Sequence, residues 1–227
     1  MAPAPSRVAD RLRPDRVGVL VGLAAEGRIA VPLGCRVAVG GGTAAGAEAA
    51  VRALVAQGVT GLVSFGLAGG LDPALPAGTL LVPCTVLLDG HGAMQTDAAL
   101  CAWLGGATPG CLLAGTAVVA GVAAKRALHA RTGAVAVDLE SGAVALAAAR
   151  HEVGFAVLRA VCDPAGRDLP PAALAALDRA GAIGALRVLG SVLRAPGQVP
   201  GLLRLARDAA AAQRALRERV RLIGGTA

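Results

Sequence analysis

Two carboxylates in this sequence, Glu140 and Asp163, follow apolar runs closely enough to be delivered to one rim of a sheet, and a third, Glu26, stands in a short loop after another run. Glu26 comes shortly after Val17–Leu23 (VGVLVGL). Glu140 closes Asp138-Leu139-Glu140 after Ala134–Val137, and Asp163 follows Phe155–Val161 and Cys162. The runs are apolar without alternation, which indicates strands buried on both faces, as in a parallel sheet covered by helices. In such folds ligands bind at the carboxyl ends of the strands. The stretch from Ala134 to Asp163 reads as strand, turn, helix (about Ser141 to His151) and strand, so Glu140 and Asp163 arrive together. Carboxylates so placed can give or take protons from a bound ligand.

Each acid also has a plainer reading. Asp163, before Pro164, could cap a loop, and Glu26 could be a solvated residue of the short loop AAEGRIA. Glu140 could be the acid at the start of the next helix, favoured by the macrodipole, although Asp138 suits that role better. Two glycine-rich stretches stand nearby. Gly40–Gly46 lies between a strand (Arg36–Val39) and an Ala-rich helix (about Ala44–Gln57), where backbone N–H groups can cradle an anion. It matches neither G-x-G-x-x-G nor a P-loop, and a tight turn explains it equally well. Gly66-Leu67-Ala68-Gly69-Gly70 follows the strand Gly61–Phe65; small residues there permit a close ligand approach or a sharp reversal.

The bulk properties narrow the class. A chain of 227 residues with 55% hydrophobic and 16% charged residues can bury a large single core. Its aromatic residues are Phe65, Phe155 and Trp103, too few for the base-stacking platforms of nucleic-acid modules, so no nucleic-acid partner is expected. Five unpatterned cysteines (35, 84, 101, 111, 162) read as reduced thiols of a cytoplasmic protein, and three histidines (91, 129, 151) share no ligand spacing, so no metal is expected. No apolar run reaches the ~20 residues that span a bilayer, and the N-terminus lacks a signal-peptide core. The net charge of +7 is concentrated beyond Ile183, where eight arginines face Asp208 and Glu218.

The remaining elements follow from pattern. Leu80–Pro83, Cys84–Leu88 and Cys111–Val119 read as extended, with Asp89–Gly92 as a turn. Thr96 can N-cap a helix through Leu104, and a further helix covers Ala123–Arg131. After the loop PAGRDLPP, helices are expected over about 172–194 and 199–222. In the second, Leu202, Leu203, Leu205, Ala206, Ala209, Ala210 and Leu216 recur at helical spacing between arginines. That surface suits packing on the body or a partner, or attachment to anionic lipid.

In order, GLAAEGRIA, SFGLAGGLDPALPAGTLLVP, AVDLESGAVA and LRAVCDPAGRDLP resemble the nucleoside phosphorylase superfamily, in the branch of the methylthioadenosine/adenosylhomocysteine nucleosidases. The resemblance spans roughly residues 17–190. It implies a three-layer α/β/α fold with a central mixed sheet, followed here by C-terminal amphipathic helices. Residues 1–195 would form the nucleoside phosphorylase-like domain, with 1–15 a flexible leader, and 196–227 a basic helical tail. The continuation LRVLGSVLRAPGQVPGLLRLARDAAAAQRAL looks like the hopanoid-associated phosphorylases, which implies release of adenine from adenosylhopane; the alternatives are a soluble methylthioadenosine/adenosylhomocysteine nucleosidase or purine nucleoside phosphorylase, and a non-catalytic nucleoside-binding or membrane-adaptor protein.

The resemblance also implies roles. Asp163, in Arg159-Ala160-Val161-Cys162-Asp163, matches the purine-contacting aspartate, and Glu140 the ribose-binding glutamate, with Leu139 in place of a methionine. Glu26 matches the glutamate that positions attacking water. Gly66, Leu67, Ala68 and Gly69 fall beside the ribosyl centre, and Val118 or Val119 falls where relatives place an aromatic over the purine. Cys162 is read as a packed thiol beside the base. No cofactor is implied. Hydrolysis and phosphorolysis both stay open: Arg28, Arg36 and Arg52 could serve phosphate as co-substrate, whereas Glu26 suits water and would repel phosphate. The expected partners are a small nucleoside, lipid-linked if the tail's resemblance holds, the inner face of a membrane through the basic tail, and a second copy of the chain.

Overall fold

The computed structural model describes residues 12–88, 92–176 and 195–225. Most of the expected leader, the turn residues 89–91 and the greater part of the expected helix over 172–194 lie outside the described residues.

Among the described residues nine strands form one mixed sheet, in the order β2-β1-β3-β8-β7-β5-β6, with β9 against β3 and β4 against β9. β1 (Val17–Val21) is buried along its whole length and runs parallel to both β2 (Arg36–Val39) and β3 (Gly61–Gly70). The long strands β3 and β9 (Gly154–Asp163) are parallel over most of their length, with a bulge at Ala68/Gly69. The end of β3 pairs antiparallel with β8 (Ala134–Asp138), through Gly69↔Val137 and Gly70↔Ala136. β4 (Leu80–Leu81) is antiparallel to β9, β7 (Cys111–Ala114) is parallel to β8 and to β5 (Thr85–Leu88), and β6 (Gly92–Gln95) forms the edge.

Strand alternation sorts the core into layers. Leu20, Leu62, Val157 and Val161 point to one side, where α2 (Ala44–Ala56) and α5 (Ser141–Arg150) pack through Val51, Leu54, Val144 and Ala148. Val19, Val21, Val63, Phe65, Leu158 and Ala160 point to the other, under α1 (Ala24–Ala30), α3 (Ala98–Trp103) and α7 (Val199–Gly224). α4 (Val122–Thr132) precedes β8, and α6 (Pro171–Ala176) follows β9. The architecture is the expected α/β fold with a central mixed sheet between helices.

Several local expectations change. AAEGRIA is the helix α1 and not a loop, because Glu26 reaches back to bind the Leu23 N–H at its start. Gly66–Gly70 continues β3 instead of turning, since β9 supplies backbone partners as far as Gly69. The N-cap of α3 is Asp97, whose Oδ1 accepts from Ala99 and Leu100 N–H; Thr96 donates instead to the Pro83 carbonyl. Only Cys111–Ala114 of the extended stretch 111–119 is strand.

The tail helix is joined to the body. Ala212, Leu216, Val220 and Ile223 are buried against β1, β3 and β9 residues, while Leu203 and Leu222 stay exposed. The apolar stripe in contact is therefore shifted toward the C-terminus from the one read in sequence. Arg219 ties it down by donating to the Leu104 carbonyl at 2.9 Å. Leu216→Ala should lower stability by about 2–5 kcal/mol in urea unfolding followed by circular dichroism. An unaltered midpoint would mean that α7 is an appendage.

Candidate active site

The site is built around a residue the sequence reading passed over. Arg159, in the middle of β9, is 1% exposed. A buried guanidinium must be matched by anions and acceptors, and its Nη2 has them: Asp138 Oδ2 at 2.6 Å, Glu140 Oε2 at 3.1 Å and the Ser64 hydroxyl at 2.8 Å. Burial works to strip its charge, but the fields of Asp138, Glu140 and Glu26 outweigh it and raise its pKa. Asp138 also accepts from the Ser141 hydroxyl at 2.5 Å and lies within 3.3 Å of the Ser141 N–H, so it caps the start of α5 as expected. The ion pair to Arg159 is its second task.

Glu26 arrives from the other side. Its Oε2 accepts from Leu23 N–H at 3.0 Å and its Oε1 from Leu67 N–H at 3.1 Å, so the side chain is buried and fixed. A Cβ on Gly66 would stand 2.5 Å from both Arg159 Nη1 and Glu26 Oε1, at a φ of +150°. Only glycine meets both conditions. Arg159 Nη1 carries no protein hydrogen bond among the described residues, and Nε is buried without one.

Glu140 sits at the N-cap position of α5, but its side chain caps nothing there. Its Oε1 lies against two glycines: a Cβ would be 1.7 Å away on Gly22 and 3.9 Å away on Gly42. The loop expected as an anion cradle therefore has a carboxylate beside it. Burial pushes the Glu140 carboxyl up, Arg159 opposes the rise, and Glu26 and Asp138 add to it.

Asp163 ends β9, 8% exposed, opposite Gly69. Its Oδ2 forms an ion pair with Lys125 Nζ at 2.6 Å. Burial pushes this carboxyl up, Lys125 opposes it by hydrogen bond and charge, and Asp208 and Arg167 act more weakly in opposite senses. The strand Gly66–Gly69 thus runs from Glu26 to Asp163, with Glu140 held near Glu26 by Arg159. Burial, with the nearby Asp163 and Glu26 carboxylates, pushes the Cys162 thiol up to about 12, which leaves it no nucleophile. Leu139 and Val118 are exposed, at 43% and 41%, whereas Val119 packs into the cluster around Leu71 and Val137.

Arg28, Arg36 and Arg52 do not join this group. All three are exposed, and Arg36 is tied to the Asp15 carbonyl and Gln57 at the amino-terminal end of β2. A cleft of about 400 Å³ is lined by Arg167, Arg204, Arg207 and Asp208 and has none of the three carboxylates in its lining. Among the described residues no group of three or more His, Cys, Asp or Glu side chains is placed to hold a metal, and no helix is long and apolar enough to cross a membrane.

The ion-pair core should be measurable. Asp138→Ala strands Arg159 with fewer anions and should cost about 3–5 kcal/mol in chemical unfolding. Glu140→Gln should behave differently, because a raised carboxyl favours the fold below its ordinary value of about 4.3 and that contribution is lost as pH rises through the raised one. The Tm of Glu140→Gln relative to the parent should therefore improve between pH 4 and pH 8.

Residues 107–194 match the family described as the phosphorylase superfamily. No curated protein matches the chain. Among solved structures, a mutant methylthioadenosine nucleosidase of Helicobacter pylori, with 5'-methylthioadenosine in its active site, superposes with a TM-score of 0.64 at 18% identity, covering 92% of this chain and 99% of that one. A methylthioadenosine/adenosylhomocysteine nucleosidase of Colwellia psychrerythraea in complex with adenine gives 0.59 at 17%, covering 88% and 96%. The native futalosine hydrolase of Helicobacter pylori gives 0.58 at 19%, covering 66% and 88%. The chain has the fold of these nucleosidases.

Proposed function

We propose that the protein hydrolyses the N-glycosidic bond of an adenine nucleoside. The observation that carries this reading is the placement of Glu26 and Glu140 on either side of Arg159, with Asp163 across the glycine strand. Heterolysis of such a bond leaves positive charge on the sugar and a pair of electrons on the base. Glu140 Oε1, without a protein donor, can accept ribose hydroxyl protons, and its charge favours the cationic sugar. Asp163, its carboxyl raised by burial, can give a proton to purine N7 as the base departs. Glu26, held by two backbone N–H groups, can orient water and take its proton. The structural neighbours are nucleosidases and hydrolases by name, in line with this chemistry.

Water is favoured over phosphate. A phosphate at the sugar would face Glu26 and Glu140, and the arginines considered for it are exposed elsewhere. The proposed substrate is adenosylhopane, the one implied by the C-terminal resemblance. The open apolar side chain of Leu139 suits a greasy 5' substituent, and exposed Leu203 and Leu222 among arginines leave α7 a surface for an anionic bilayer. Val118 in place of an aromatic ring gives the purine weaker stacking, which a large apolar substituent would offset.

Adenine release from adenosylhopane, methylthioadenosine, adenosylhomocysteine and inosine, each with and without phosphate, tests the proposal. Release from adenosylhopane without phosphate is expected; no adenine from any substrate would end the enzymatic reading. Equal turnover of methylthioadenosine would end the lipid-specific one. Asp163→Asn should lower kcat by about 10²–10⁴-fold. The parent rate should fall as pH rises through the raised Asp163 value, and this alkaline limb should be missing from the residual activity of Asp163→Asn.

A further inference from the structure

Lys125 is the only lysine in the chain, among 22 basic residues. It stands in the first turn of α4 and is 1% exposed. A cation near a helix N-terminus is opposed by the macrodipole, and burying an ammonium is costly unless it is paired, so helix stability does not explain it. Its three N–H groups explain it. One meets Asp163 Oδ2 at 2.6 Å, and the others meet the carbonyls of Pro164 at 3.2 Å and Arg167 at 2.9 Å. The same loop is fixed to the helix start by Asp168, which accepts from Val122 N–H at 2.6 Å, and by the Leu169 N–H on the Ala120 carbonyl. Asp163 Oδ1 has no protein partner among the described residues.

We propose that Lys125 is the positioning residue for Asp163: its ammonium tripod locks Oδ2 and the loop 164–167, leaves Oδ1 for the departing base, and stabilises the carboxylate that proton transfer creates. This deepens the function proposed above and rests on it. As the N-glycosidic bond breaks, its electron pair stays on the base, the Asp163 O–H bond breaks and a purine N–H bond forms. Asp163 is then left as a buried anion. Of the charged groups facing it, Lys125 on α4 touches it, whereas Arg167 on the loop and Asp208 on α7 act at longer range and are paired with each other. Without Lys125 the acid would hold its proton too tightly to transfer it. A compact ammonium with three protons serves this geometry; a planar guanidinium does not.

Lys125→Met, Lys125→Arg and their combinations with Asp163→Asn separate this role from general stability. In Lys125→Met the alkaline limb of kcat should move up by about 1–3 pH units, as expected for loss of one adjacent charge. kcat should fall at least about tenfold, and KM should change less than about threefold, since an acid's effect is felt in the transition state. Lys125→Arg should keep the limb near its original pH but still lose kcat, because the charge survives and the tripod does not. A folded Lys125→Met with an unmoved limb overturns the proposal. If that variant fails to fold, Asp163→Asn/Lys125→Met decides. A kcat within about twofold of Asp163→Asn is expected if Lys125 acts only through Asp163, and a further tenfold loss overturns it. If the parent releases no adenine, carbon-13 carboxyl titration of Asp163 in the parent and Lys125→Met still answers. A midpoint shift of about 1–3 units upholds the pairing, and an unchanged midpoint refutes it.

Discussion

A guanidinium buried in the middle of a sheet is the constraint on which the site depends. Arg159 cannot stay charged among Val157, Leu158 and Ala160 without anions in contact, and Asp138 and Glu140 supply them from the end of β8. Satisfying one cation thereby brings the last residues of β8 to the middle of β9, two strands not hydrogen-bonded to each other. Ser64 on β3, between β1 and β9, completes the contact. The carboxylates outnumber the cation, so the pocket keeps excess negative charge. That suits a ligand that becomes positive during reaction and repels one that is anionic throughout.

Glycines are the counterpart of this charge cluster. Gly22 and Gly66 leave room where any Cβ would strike Glu140 or would strike Arg159 and Glu26. Polar side chains are packed here against backbone, which fixes their orientation without added side-chain ordering. The bulge at Ala68/Gly69 lets β3 pass from β9 to β8, so one strand carries the backbone from Glu26 to Asp163.

Two charge systems divide the site. Arg159 gathers Asp138 and Glu140, and Lys125 holds Asp163. Both carboxyls rise for the same first reason, burial, and each is tempered by its own cation. Each acid thus has its own cation, so the proposed division of labour, one carboxylate staying charged and the other releasing a proton, falls on groups with different partners. The C-terminal helix belongs to the same framework, because Leu216 and Val220 cover the face of the sheet opposite α2 and α5.

The layered α/β class and the positions of Glu140 and Asp163 were legible in local signals, unbroken apolar runs and acids at strand ends, whereas the mixed sheet and the role of Glu26 came from the ordered motifs that carry the family resemblance. Glu140 and Asp163 follow β8 and β9 in chain order, and no distant contact is needed to see them. Glu26 was legible as a residue but not in its setting, since its burial depends on Leu67, 41 positions away. Asp138 was read as a helix-start acid, which it is; its ion pair comes from a strand 21 residues on. Arg159 stood in a quoted motif without a task, and Lys125 showed only as the single lysine of an arginine-rich chain. Which cation meets which carboxylate is decided by strand order and by the cost of an unpaired buried charge. Those belong to the assembled sheet, and no spacing along the chain expresses them.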